Sequence, residues 1–235
     1  MKFTKKIIGN QFNSREERNQ FIASEFHSYI NSTLLNVGGG GHHYMKKHLD
    51  EQVQYFELDI AGSPDLKINL EKEIPIPIEN NKYETVVCTD VLEHLDNFHQ
   101  VFNELLRISS KYLIISLPNS VTSLMSYYKN KVYENNNEDR RKQFGKYTKY
   151  YGLPYEKPED RHKWLFSYTE AEDFFIYHSK KKNFKIAEMF PVGYYNNSSW
   201  KRTVFRTVMS MFGSKDFQKN MFSDSFWIVI EKKEF

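Results

Sequence analysis

Apolar residues near the start of the chain recur at helical spacing. Phe21, Ile22, Phe26 and Tyr29/Ile30 share one face, which predicts a leading amphipathic helix within 10–31. The pattern then changes to short apolar blocks. "STLLNV" (32–37), "VQYFELDI" (53–60), a brief "LKINL" (66–70), "YETVVCTDV" (83–91) and "KYLIISLP" (111–118) read as strands. Between them, "HYMKKHLDE" (43–51) and "NFHQVFNELLRIS" (97–109) read as helices, the second with Phe98, Phe102, Leu105 and Ile108 on one face. Strands alternating with helices in this way predict βαβ units, hence an α/β fold with a doubly wound, mainly parallel sheet.

Beyond Pro118 the periodicity fades. Residues 119–166, rich in Tyr, Lys, Asn and Arg, read as an inserted lid or substrate region. "SYTEAEDFFIYHSKK" (167–181) restores a helix, with Thr169 and Glu172 at capping-box spacing. "FKIAEMFPVGYY" (184–195) and "DSFWIVIEKK" (224–233) read as closing strands. Residues 200–213 read as a basic amphipathic helix whose Val204, Val208, Met211 and Phe212 suit a core or a homodimer contact. All 235 residues form one predicted domain: leading helix 10–31, cofactor-binding half 32–118, lid 119–166, closing helix and strands 167–235.

Composition narrows the function. With 40% hydrophobic and 27% charged residues the chain is expected to fold rather than stay disordered. A single cysteine, Cys88, forbids an intrachain disulfide and reads as a buried small residue. No apolar run approaches a membrane span, and a cytoplasmic location is expected. The net charge of +3 is too mild for a typical nucleic-acid binder and points to an anionic small-molecule partner.

Four glycines, Gly38–Gly41, follow the first predicted strand. A glycine turn there lets backbone N–H groups, and the N-terminus of a following helix, approach a ligand closely. The alternative is a flexible loop. Against it stands Asp59, which ends the second predicted strand about 21 residues past Gly38, near the spacing at which a carboxylate holds vicinal ribose hydroxyls. A nucleoside-bearing cofactor follows. The dinucleotide pattern G-x-G-x-x-G fails in both registers, at His43 and at Tyr44, which disfavours NAD.

Taken in order, "LLNVGGGG", "LDI", "INLEKEIPIPIENNKYETVVCTDVLEHLDN" and "YLIISLPNS" resemble the class I S-adenosylmethionine-dependent methyltransferases of the small-molecule branch. The resemblance implies a Rossmann-like seven-stranded sheet with an antiparallel closing strand. It implies S-adenosylmethionine as cofactor, with Gly38, Gly39 and Gly40 against its methionine part and Asp59 on its ribose. Asn69 and Leu70 would bracket the adenine, and Thr89 and Asp90 would line the methionine side. Two positions depart from the family pattern. Asn36 replaces the usual acid before the first glycine, and His42 replaces the third glycine.

Methyl transfer to an alcohol needs an aligned acceptor and removal of its proton. "EHL" offers Glu93 and His94 as base or metal ligands, beside a purely structural reading as a helix start. "PEDRHKWLF" (158–166) offers His162 as a second candidate base, with Asp160, Arg161 and Trp164 as acceptor contacts; the alternative is a surface loop with an Asp–Arg pair. This segment resembles one in methyltransferases of surface-polysaccharide gene clusters, which implies a sugar-like acceptor. No local spacing marks a structural metal site, and no metal is assigned. O-methylation of a sugar, nucleotide-sugar or phosphorylated hydroxy acid is the leading expectation. RNA methylation and a non-catalytic, partner-binding subunit of the same fold are the alternatives.

Overall fold

The structure is a computed structural model that describes residues 12, 14–130, 160–182, 184–193, 204, 207–208 and 213–233. Seven strands form one sheet: β1 (Thr33–Val37), β2 (Gln54–Asp59), β3 (Leu66–Lys67), β4 (Tyr83–Thr89), β5 (Ser109–Pro118), β6 (Phe184–Val192) and β7 (Ser225–Lys232). Their order is β3-β2-β1-β4-β5-β7-β6. Only β7 runs antiparallel, against both β5 and β6. This is the expected Rossmann-like sheet with its closing strand.

The unbroken apolar runs have a simple cause: both faces of the sheet are buried. Leu35, Val86, Cys88, Leu113, Ile115 and Ile228 face one cluster, covered by α2 (Phe98–Ile108) and α4 (Tyr168–Lys181). Their neighbours Leu34, Val87, Ile114, Trp227 and Val229 face the other, covered by Ile22 and Phe26 at the end of α1 (Arg15–Glu25). Cys88 is fully buried, and burial pushes its thiol well up, so it packs rather than reacts. Among the described residues no helix is long and apolar enough to cross a membrane.

Three local expectations are corrected, and one helix is added. The helix expected over 43–51 is only a 3₁₀ turn, Lys46–His48. Its few apolar groups, Tyr44, Met45 and Leu49, make no stripe, and His43 sits in the left-handed region at φ +51°. No helix N-terminus therefore follows the glycines. The capping box of α4 is Ser167 with Glu170, because extended backbone at Ser167 ends where the helix begins; Thr169 instead bonds Asn220, and Glu172 pairs with Lys219. The start of the expected lid holds a helix, α3 (Ser120–Asn130), begun by the Asn119 side chain accepting from Val121 N–H. A further helix, α5 (Lys215–Phe222), is capped by Ser214. Of the helix expected at 200–213, Val204, Thr207 and Val208 are helical and exposed. Its other residues, apart from Gly213, lie outside the described residues, as does the stretch 131–159 of the expected lid.

Candidate active site

Strands β1, β2 and β4 end on one edge of the sheet, and the chain leaves each of them through a turn. In parallel sheets this edge is where ligands bind. Gly40 adopts φ +89°, a conformation open to glycine, and a Cβ there would strike the Arg15 guanidinium. At Gly39 the constraint is proximity, since a Cβ would collide with Glu57 Oε1 and Asn36 Nδ2.

Glu57 explains how the turn is held. It lies in β2, fully buried. Its Oε1 accepts from Gly41 N–H at 2.6 Å, and its Oε2 accepts from His43 N–H at 2.9 Å and Tyr55 O–H at 3.1 Å. Asn36 Nδ2 donates to Tyr55 Oη at 3.0 Å, which ties Asn36 into the same network. Sequence reading missed Glu57, although an acid inside an apolar strand block was the available signal. Asp59 sits beside it at the strand end, accepting from Gly40 N–H at 2.8 Å and Ala61 N–H at 2.9 Å. The next residue, Ile60, is 59% exposed, an apolar surface at the mouth of the turn. His42 points outward near Tyr44.

The other expected cofactor residues fall in two groups. Thr89 is buried at the end of β4, and Asp90 follows at φ +52°, accepting from Ser116 Oγ at 2.8 Å and paired with Arg18 of α1. Asn69 caps the turn that follows β3, its Oδ1 accepting from Glu71 N–H, while Leu70 is buried in the core.

Next to β4 lies a second constellation. Glu93 and His94 stand in the 3₁₀ turn after the strand, and His162 reaches them from the segment that precedes α4. Their ligand atoms lie within 4.8 Å of one another. His94 Nε2 is 3.8 Å and His162 Nε2 3.9 Å from Glu93 Oε1, and the two rings meet edge to face. Both Glu93 carboxylate oxygens are buried without a hydrogen-bond partner. Burial, and then the neighbouring Asp90 carboxylate, push the Glu93 carboxyl well above its usual range. A buried carboxylate that accepts no hydrogen bond is costly unless a proton or a cation completes it. Asp160 Oδ1 lies 2.8 Å from His94 Nδ1, which fixes that ring and leaves Nε2 directed at Glu93. Two imidazoles and one carboxylate, with a carboxylate behind one imidazole, form a donor set suited to a divalent transition metal.

The 160–166 segment is locked in place. Lys163 N–H and Trp164 N–H donate to the Glu93 carbonyl at 2.8 and 3.3 Å, Trp164 Nε1 donates to Leu95 O at 2.7 Å, and Lys163 Nζ bridges Glu71 and Asp96. The structure brings together His94, His162 and Asp160, which the sequence offered as separate candidates, whereas Arg161 is exposed and Trp164 packs beside Phe98 and His99. The Asp160–Arg161 pairing considered from sequence gives way to Asp160–His94. Local spacing assigned no metal ligands, because the three candidate donors that gather here come from two segments joined only by the fold.

No family model matches the sequence, and no curated protein matches it. Solved structures do match in shape. That of the small RNA methyltransferase HEN1 aligns with TM-score 0.56 and 13% identity over 96% of this chain, which spans 27% of that one. The methyltransferase domain of bacterial CtHen1-C aligns at 0.54 and 14% identity, over 93% of this chain and 98% of that. A SAM-dependent methyltransferase from Archaeoglobus fulgidus aligns at 0.51 and 15%, over 93% and 95%. The fold is that of Rossmann-like methyltransferases.

Proposed function

We propose that this chain is an S-adenosylmethionine-dependent methyltransferase that methylates a hydroxyl oxygen, with a divalent cation held by Glu93, His94 and His162. The observation that carries this reading is the adjacency of two half-sites on one sheet edge: the glycine turn with Asp59, and the Glu93–His94–His162 cluster beside β4. The cofactor supplies a methyl group already activated on a sulfonium, and the cation supplies Lewis acidity toward the acceptor hydroxyl. The chain's own residues bind, orient and exclude water. Asp59 exchanges its backbone donors for ribose hydroxyls, and Ile60 offers a face for the base. Asp160 keeps the His94 proton on Nδ1, so that Nε2 presents its lone pair. Glu93 and His162 are shielded from water by the docked 160–166 segment.

The acceptor in this reading is a sugar, nucleotide-sugar or phosphorylated hydroxy acid, its anionic group met by exposed Arg161. The likeness of 158–166 to surface-polysaccharide methyltransferases supports a sugar. A second reading, RNA, is favoured by the structural likeness to HEN1 and CtHen1-C. Labelled methyl transfer to a panel of both acceptor classes, before and after chelation and after readdition of Mg²⁺, Mn²⁺ or Zn²⁺, separates them. Transfer to a sugar hydroxyl that is lost on chelation is expected. Transfer to RNA alone, with steep salt dependence, would replace the sugar reading. Undiminished transfer after chelation would remove the cation, and cofactor binding without turnover on any acceptor would favour a non-catalytic subunit.

A further inference from the structure

We infer that the edge of the sheet opposite the glycine turn carries a second binding site, one that takes the di- or triphosphate group of a small anion. It stands independently of the function proposed above. Strands β1, β4, β5 and β6 begin on that edge, and β7 ends there. Between their ends lies a cavity of about 750 Å³, a size ordinary for small-molecule sites. Five lysines line it, Lys82, Lys111, Lys185, Lys232 and Lys233, against two carboxylates, Glu84 and Glu231. That excess of three positive charges equals the formal net charge of the whole chain.

Strand pairing explains the gathering. Across β6 and β7, Lys185 stands opposite Glu231 and Phe184 opposite Lys232. Lys111 lies near the start of β5, and Lys82 immediately precedes β4. The basic run that ends α4 arrives at the same edge, with Lys180 and Lys181 exposed.

The two carboxylates do not cancel this charge. Glu84 Oε2 accepts from Ser32 N–H at 2.8 Å and from Ser32 Oγ–H at 2.7 Å. Its Oε1 is 3.9 Å from Lys111 Nζ, and Glu79 Oε2 is 3.8 Å from Lys82 Nζ, both too long for a hydrogen bond. Glu231 Oε1 pairs closely with Lys185 alone, at 2.9 Å. Lys232 is fixed by neutral groups: its Nζ donates to Asn81 Oδ1, Leu106 O and Ser109 O at 2.6, 2.9 and 2.7 Å. The carbonyls lie at the end of α2, where a cation is favoured, so the ammonium is held in place and keeps its charge uncompensated. Burial pulls its pKa down, as it does for a cation that has given up water without gaining a counter-ion.

Linked phosphates suit this arrangement. Lysine ammonium groups are point charges without the planar fork that matches a carboxylate, and phosphate oxygens accept from them over a wide range of angles. Because the charges are spread over several strand ends, two or three phosphates in a row meet more of them than one does. Among the described residues no aromatic side chain lines the cavity, so no base has a stacking platform and the phosphate chain itself is what is recognised. The same lack, with the concave shape, favours a small ligand over an RNA.

The test is calorimetric titration of the full chain, without divalent cations, with inorganic tripolyphosphate, GTP, orthophosphate and a short single-stranded RNA. Tripolyphosphate and GTP should bind one-to-one within about threefold of each other, and orthophosphate at least about 10-fold more weakly. The double variant Lys82→Gln, Lys111→Gln alters two exposed side chains and should weaken tripolyphosphate at least about 10-fold. Lys215→Gln, at an exposed position of α5 toward the other edge, should change it by less than about twofold. No binding of tripolyphosphate, no loss in the double variant, or an equal loss in Lys215→Gln would overturn the inference. So would tighter binding of the RNA that the double variant abolishes, which would make this edge a nucleic-acid surface.

Discussion

Replacing Glu57 by Gln changes one buried atom and little volume, yet the glycine turn depends on that atom. The carboxylate accepts three hydrogen bonds: Gly41 N–H on Oε1, and His43 N–H and Tyr55 O–H on Oε2. Glutamine has one acceptor oxygen. Keeping it at the two-donor side sets its NH₂ against Gly41 N–H, leaving two donors face to face with no solvent to satisfy them. One charge-assisted bond is lost outright, and the other two fall to neutral strength. At roughly 1.5–3 kcal/mol for a bond to a charged group, the loss is on the order of 3–5 kcal/mol. For a domain of this size that corresponds to a fall in melting temperature of about 6–20 °C. Differential scanning calorimetry measures it, and titration with S-adenosylhomocysteine should show weaker binding, because the freed N–H groups belong to the turn. Glu57→Gln with a melting temperature within about 3 °C of wild type would mean that the carboxylate does not hold the turn.

Three other substitutions follow from the same geometry. Asp59→Ala removes the carboxylate proposed to hold two ribose hydroxyls and should weaken S-adenosylhomocysteine by roughly 2–4 kcal/mol, about 30- to 1,000-fold, by calorimetry; unchanged affinity would move the ribose elsewhere. His162→Ala should lower labelled methyl transfer by at least about 100-fold and leave S-adenosylhomocysteine affinity within about threefold, since the proposed site puts the ring on the cation and not on the cofactor; intact turnover would exclude it from the site. Glu104→Gln tests a structural contact away from the site. The Arg107 guanidinium holds the Glu104 carboxyl below its ordinary 4.5, so its stabilising effect is present above that pH and lost as the pH falls through the lowered value. The variant should melt lower than wild type at pH 7, and acid-titrated melting curves should converge at low pH; a gap that persists there would rule out the charge as its cause.

The α/β order was legible because burial of both sheet faces leaves unbroken apolar runs, and α2 because Phe98, Val101, Phe102, Leu105 and Ile108 fall on one stripe. The glycine turn and Asp59 were legible because close backbone approach leaves a mark in the sequence. Less visible were α3, whose Ser, Thr and Tyr positions lack a clear apolar stripe, and the missing helix after the turn, where basic residues looked helical but had no face to bury. Glu57 was hidden by its strand, since periodicity does not tell a buried acid's partners. The Glu93–His94–His162 cluster was half visible. The pair at 93–94 was adjacent in sequence, but the third member arrives only when Trp164 and Lys163 dock on the turn that follows β4.

The most direct test of the account is the cofactor itself. Calorimetric titration of the purified chain with S-adenosylmethionine and S-adenosylhomocysteine, with NAD as control, should give saturable one-to-one binding of the first two and none of NAD. Binding of NAD alone, or of no ligand, would contradict the assignment of the Gly38–Gly41 turn and Asp59 to S-adenosylmethionine.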